Sequence, residues 1–459
     1  MKNLITFIVL LSTISIFSQQ NFTTSLHYTR EGKNTAYKAE NGGMQLITNI
    51  PMSQLACKKC HSSTGLYPNG QPINPATYQP SCNDCHNFAA GTSVQEQTCL
   101  NCHKRQLDER TAYPNQDVHS TTANLKCYNC HSKQELHGDD GVAYISAKQP
   151  GAVKVKCVNC HPNPSPNTSH SIHNAKVECS VCHAVSMLTC AGCHFETAVA
   201  TGKNRAINQV KDYRLLVKKD GKVHLGGFVT HSYNNKTNYI ISSYTSHIIK
   251  KNATTCGDCH NNMGAGVPAI NEYNNTGSIT LAKWNATTKK IDGPTGVVPL
   301  VRDWKTAFKV DHVTYTGDPT VFPGDPNLWV FLKSTTDNSH LYFCEPLDSS
   351  TLAKMGVTRF PSSVEFANDN IPTQFTLKQN YPNPFNPETI IEFSIPQSAY
   401  VTLKVYDSVG NEVAELFNGE RGAGNYKVNF DGKNLSSGVY YVKMTAGNYS
   451  KTIKMVLMR

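Results

Sequence analysis

Hydrophobic and polar positions follow three regimes along the chain. The first is an N-terminal apolar run, Leu4 to Leu11 extended by Ile14 to Phe17, behind one early Lys2 and ahead of the polar pair Gln19 and Gln20. It falls short of the ~20 apolar residues that span a bilayer. Its order of charge, apolar run and polar exit is that of a cleavable secretory signal over residues 1–18. No later segment is long and apolar enough to span. The second regime, residues 19–203, is rich in Asn, Pro, Ser, Thr and Lys and has few periodic apolar runs, which predicts mostly irregular chain with short helices. In the third, alternation sets in. Residues 204–366 open on YRLLVKKDGKV and TNYIISSYTSHI around Asp220-Gly221 and Asn234-Asn235, the signature of hairpins in a small β insertion. The remainder, to Phe366, reads as irregular structure anchored by Trp284, Trp304 and Trp329. After a linker at 367–374, residues 375–459 show short strands at Thr389–Ile395, Tyr400–Tyr406, Tyr426–Phe430, Val439–Met444 and Thr452–Leu457. Turn residues separate them, which predicts an antiparallel β-sandwich.

Cysteine changes this picture. Of 17 Cys, all but Cys344 occur as pairs two residues apart, each followed at once by His. They are Cys57-Cys60-His61, Cys82-Cys85-His86, Cys99-Cys102-His103, Cys127-Cys130-His131, Cys157-Cys160-His161, Cys179-Cys182-His183, Cys190-Cys193-His194 and Cys256-Cys259-His260. This is the spacing of c-type haem attachment. Two thiols add across the vinyl groups on one porphyrin edge, and the next residue, His, lies beneath the iron as its proximal ligand. Structural zinc also uses paired Cys, but it does not need His after every second one. A disulfide framework suits an exported chain and leaves the histidines unexplained. A thioredoxin-like redox pair expects one motif in a βαβ context. Cys344 reads as a buried or free thiol, with an intermolecular disulfide as the alternative.

The second axial ligand separates electron transfer from catalysis, because an iron with two protein ligands has no free position for substrate. Ten of the 18 His lie outside the motifs. His119, His137, His170, His173 and His247 lie within or beside the motif-bearing stretch and are the first candidates for distal ligands. His224, His231 and His312 are further candidates, carried by the β insertion and the segment after it. His27 and His340, far from any motif in sequence, are expected to be left over.

So dense an array, eight motifs between Cys57 and His260, leaves too little chain for a conventional core. The porphyrin faces would supply the missing apolar surface. The formal charge of +10 falls toward neutrality if each ferric haem adds roughly one negative charge through its propionates, so nothing favours a nucleic-acid partner.

The motif stretch resembles multihaem c-type cytochromes. In the tail, Asn380-Tyr-Pro-Asn-Pro-Phe-Asn-Pro387, Val405-Tyr406-Asp407 with Gly410, Ala423-Gly424 and Ser437-Gly438-Val439-Tyr440-Tyr441 resemble the C-terminal sorting domain of type IX secretion substrates. Together these resemblances imply a multihaem cytochrome, mostly irregular with short helices and a small β insertion, followed by a C-terminal antiparallel β-sandwich. They imply eight c-type haems with iron, export to the outer cell surface or beyond, and passage through the type IX machinery. The expected role is electron transfer by mostly bis-His haems between other cytochromes or redox proteins and an external acceptor or donor. Two alternatives remain. One is an octahaem oxidoreductase acting on a small nitrogen or sulfur compound, although such enzymes often use a Lys-ligated haem and every motif here ends in His. The other is a homo-oligomer or conductive filament of stacked protomers.

Overall fold

The computed structural model describes residues 22–55, 64–164, 166–173, 176–264, 266–333, 336–359, 365–368, 372, 374–396, 399–421 and 424–459. The secretory signal and the first motif, Cys57-Cys60-His61, lie outside the described residues. Among the described residues, no helix is long and apolar enough to cross a membrane. Two compact units divide the chain, one running to Leu347 with Leu352–Val357, the other comprising Asp348–Thr351 and Thr358–Arg459. This boundary precedes the linker expected at 367–374.

In the first unit, residues up to about 180 form only short helical pieces, among them Leu26–Thr29, Glu96–Cys102, Lys104–Ala112, Val118–Thr121, Lys133–His137 and Thr168–His173. Between residues 64 and 178 the buried apolar side chains are few: Ile73, Tyr78, Leu100, Tyr113 and Ala152. Leu66, Phe88, Tyr128, Val142, Ile145, Val158 and Ile172 are instead exposed, unusual for a stretch with so little core.

A β region follows. Its strands are β1 (Met187–His194), β2 (Ala206–Lys219), β3 (Lys222–Tyr233), β4 (Lys236–Ser243), β5 (Ile279–Asn285), β6 (Lys290–Asp292), β7 (Gly296–Pro299), β8 (Phe308–Val310), β9 (Val313–Tyr315), β10 (Trp329–Phe331) and β11 (Thr336–Tyr342). Six of them make one mixed sheet in the order β11-β4-β3-β1-β2-β7. Both expected hairpins are present. Asp220-Gly221 joins β2 to β3 and Asn234-Asn235 joins β3 to β4, all four residues at positive φ, as a type I′ turn requires.

The sheet is nonetheless larger than the small insertion expected. Its first strand contains the seventh motif, and it recruits β7 and β11 by parallel pairing. The stretch after His260, expected to be irregular, carries β5 to β11 and the helix Pro268–Thr276. Its strands are mostly three or four residues long, too short for a period-2 signal to stand out. Trp304 and Trp329 sit in the core of this region, with Trp284 partly buried against it. Cys344 packs against the same core, and burial pushes its thiol up to about 12.

The second unit consists of β12 (Glu365–Asn368), β13 (Thr376–Leu377), β14 (Glu388–Ile395), β15 (Ala399–Tyr406), β16 (Glu412–Arg421), β17 (Gly424–Asp431), β18 (Gly438–Ala446) and β19 (Tyr449–Leu457). Two antiparallel four-stranded sheets, β12-β17-β14-β13 and β16-β15-β18-β19, bury Ile391, Phe393, Val401, Leu403, Tyr426, Val428, Val442 and Met455 in one core. β16 is the long strand that alternation misses. Two register shifts in its pairing with β15 break the alternation on which strand recognition depends.

Candidate haem sites

Six motifs share one local device, a single helical turn. Cys82–Asp84, Glu96–Cys102, Cys127–Cys130, Cys157–Asn159, Cys179–His183 and Cys256–Cys259 are helical or 3-10 in backbone. In five of them the motif His donates its backbone N–H to the carbonyl of the first Cys: His86, His103, His131 and His161 at 2.9 Å and His260 at 2.8 Å. One such turn brings the residues at i, i+3 and i+4 to one face, so both thiols and the imidazole converge. The residue before the second Cys often caps the turn. Asp84 accepts from Ser81 N–H at 3.1 Å, Asn129 from Lys126 N–H at 2.7 Å and Asp258 from Thr255 N–H at 2.7 Å.

Each of these six motif histidines faces a second imidazole. Ring centres are 5.9 Å apart for His103 and His27, 6.1 Å for His86 and His137, 6.5 Å for His131 and His247. They are 6.3 Å apart for His161 and His119, 6.3 Å for His183 and His170 and 6.1 Å for His260 and His173. With metal–nitrogen bonds of about 2 Å on each side and roughly 1 Å from nitrogen to ring centre, two imidazoles on one metal ion lie about 6 Å apart. The observed spacings match that span.

The other nitrogen of several rings is tied to oxygen. Nδ1–H donates to Thr92 O from His86 at 2.9 Å, to Lys250 O from His183 at 3.2 Å and to Lys354 O from His260 at 2.6 Å. His131 Nδ1 meets the Glu135 carboxylate at 2.7 Å, which raises its pKa. Such bonds fix the tautomer that leaves Nε2 for a metal. Burial holds His27 and His247 down to about 4, and a neutral ring is the form that ligates.

The remaining candidates are placed differently. His27, expected to be left over, is the ring opposite His103. His224 lies 3.9 Å from the Glu178 carboxylate. His231 and His312 are both buried and neighbour each other, and burial lowers His231 to about 4. His340 is half-buried against Gly42.

Thiols of different motifs also adjoin. Cys157 donates to Cys179, lowering the latter to about 6, and Cys127 hydrogen-bonds with Cys99. Cys85 and Cys102, Cys130 and Cys160, and Cys182 and Cys256 are near enough to influence each other's charge. A cleft of about 490 Å³ at the eighth motif is lined by Cys256, Met263 and Val267 together with Thr255, Asp258 and Arg214, so apolar and polar walls alternate around it, with one carboxylate and one cation. The residues therefore fit haem on four counts: paired thiols, opposed imidazoles, tied Nδ1 atoms and uncovered apolar side chains beside the motifs.

No curated protein shows significant similarity to the chain. Residues 379–458 match the secretion system C-terminal sorting domain, which marks the protein for type IX export to the cell surface or outside. Residues 45–104, which hold the first three motifs, match cytochrome c7 and related cytochrome c, so a cytochrome part carrying c-type haem is joined to a sorting tail.

Proposed function

We propose that the protein is an exported electron carrier in which all eight motifs hold c-type haem and at least six irons are bis-His ligated. The six opposed imidazole pairs carry this reading. The haems supply reversible one-electron iron chemistry at potentials low relative to His/Met haems. The chain's residues do the rest. His27, His137, His247, His119, His170 and His173 would hold the metal from the side facing His103, His86, His131, His161, His183 and His260 in turn, and so would leave substrate no open coordination position there. The adjoining thiols support a spatial order in which the second, third, fourth, fifth, sixth and eighth motifs follow one another as a relay. Such an order suits transfer between a donor on the cell side and an external acceptor.

The test is electron paramagnetic resonance of the purified, secreted protein with haem quantified per chain. The expected result is six or more low-spin haems. His247→Ala is expected to convert one haem per chain to the high-spin form and leave the haem count unchanged. A low-spin count below six, or no change in the variant, would refute the ligand assignment.

Removing residues 379–459 gives a second expectation. The haem complement and spectrum stay intact while the protein is retained inside the outer membrane, as cell fractionation would show. Equal release of the truncated chain would contradict a sorting role for the tail.

A further inference from the structure

The sixth and eighth motifs are stitched together by the short segment between β4 and the eighth motif. Ile249 forms a β-bridge with Ala184, Lys250 N–H donates to His183 O at 2.8 Å and Thr254 N–H to Cys182 O at 2.9 Å. The seventh motif takes no part in this junction, since Cys190, Cys193 and His194 lie on β1, where Cys190 to Cys193 pair with Gln209 to Ala206 of β2.

Arg214 lies further along β2, opposite Val297 of β7, and lines the cleft at the eighth motif. It is only 8% exposed, and its Nη1 is buried without a hydrogen-bond partner. Buried charges are ordinarily paired, because an unpaired one loses its hydration with nothing in return. Two other arginines beside motifs follow that rule: Arg30 meets Asp84 at 3.5 Å and Arg110 meets Glu96 at 3.1 Å. Asp258 shares the cleft with Arg214, but its carboxylate serves the motif's turn, accepting Thr255 N–H at 2.7 Å and the Thr255 hydroxyl at 3.0 Å. Burial raises the thiols of Cys182 and Cys259, and the Arg214 charge opposes that rise at both, so the guanidinium lies between the two motifs. Lys250, which burial lowers and Arg214 lowers further, brings a second cation to the same junction. The fourth and fifth motifs carry the opposite sign. Glu135 lies 2.7 Å from His131, and Asp117 lies 3.7 Å from His119, the ring facing His161.

We infer that the unpaired charge of Arg214, with Lys250 beside it, raises the reduction potentials of the sixth and eighth haems above those of the fourth and fifth, and so directs the relay toward an exit at the eighth motif. This rests on the reading that the motifs carry haem. Ferrous haem bears one positive charge less than ferric, so a buried cation nearby favours the reduced form and a carboxylate favours the oxidised one. Electrons then run from the acid-flanked motifs to the cation-flanked ones. Arg214 acts through the haems' surroundings and is a tuning residue, not a ligand.

A redox titration of the purified holoprotein followed by electron paramagnetic resonance tests it. The low-spin signals that disappear in His170→Ala and His173→Ala identify the sixth and eighth haems, and those that disappear in His247→Ala and His119→Ala identify the fourth and fifth. The expected result in the unaltered protein is that the sixth and eighth signals titrate at the higher potentials. Arg214→Gln should lower both by about tenfold in the redox equilibrium, which is about 59 mV for one electron, while Arg214→Lys, which keeps the charge, should stay near the original values. Three results would overturn the inference: the sixth and eighth haems titrating below the fourth and fifth, no shift in Arg214→Gln, or equal shifts in Arg214→Gln and Arg214→Lys, which would mark a merely structural role. The order of potentials in the unaltered protein decides the matter even if Arg214→Gln does not fold. Low-spin signals that survive all four histidine replacements would instead sink the proposed ligand assignment itself.

Discussion

A secreted chain whose sixteen motif cysteines are replaced by serine is expected to lose ordered structure from residue 64 to about 178 while the β region from Met187 to Val357 keeps its fold. The two stretches differ in what they can bury. Fully burying an apolar side chain contributes about 1.5–3 kcal/mol, so Ile73, Tyr78, Leu100, Tyr113 and Ala152 together contribute on the order of 10 kcal/mol. Ordering on the order of a hundred residues costs roughly 1–2 kcal/mol each in backbone entropy alone. Without the porphyrins that deficit has no counterweight. The β region, by contrast, has a continuous core running from Val181 through Phe228 and Ile270 to Val357. Hydrogen exchange read by mass spectrometry would show it directly, with rapid exchange before residue 178 and protected amides in β2, β3 and β4. Protection throughout would mean that the motif stretch folds on its own contacts, contrary to its exposed Phe88, Val158 and Ile172.

Gly192→Val is expected to be the most damaging single change in the β region. The left-handed backbone there costs a side-chain-bearing residue about 1–2 kcal/mol. Its new atoms would also overlap Val313 and Ile207, whose side chains lie 2.5 and 2.8 Å from a Cβ at that position, and overpacking of this kind adds about 1–3 kcal/mol. The sum, about 2–5 kcal/mol, should appear as a lower urea midpoint for the sheet's transition. The spectrum of the haems proposed at the six helical motifs should be unchanged. A loss below about 0.5 kcal/mol, the range of a neutral surface change, would mean that β1 tolerates a different path through the motif.

Much of this was legible in the sequence, and the exceptions have particular causes. Attachment motifs are local, so their eight positions stand out at once. The turns at Asp220-Gly221 and Asn234-Asn235 are equally local, because positive φ at two successive residues selects Gly, Asn and Asp. Ligand pairing is not local. His27 meets His103 across a long stretch of chain, and nothing near His27 in sequence marks it, which is why proximity favoured other histidines. The strand β1 was hidden by its own motif, since the Cys-and-His pattern drew attention from the run Met187-Leu188-Thr189 that feeds the sheet. One signal was available: five motifs place Asn or Asp before the second Cys, and the seventh places Gly there. Parallel pairing of β2 with β7 and β4 with β11 joins segments far apart in the chain, where alternation carries no information about partners.

The self-capped turns of the motifs bear on how such an array can grow. A turn closed by its own first Cys and capped by its own Asp or Asn, as at Cys82–Asp84 and Cys256–Cys259, forms its backbone hydrogen bonds from residues of its own segment. Attachment is therefore modular: a turn can be duplicated or lost without disturbing its neighbours' chemistry. The opposing imidazole has no such independence, since it arrives from another helix or, for His247, from the loop after β4. The supply of these remote histidines, more than the number of cysteine pairs, would set how many irons such an array could close.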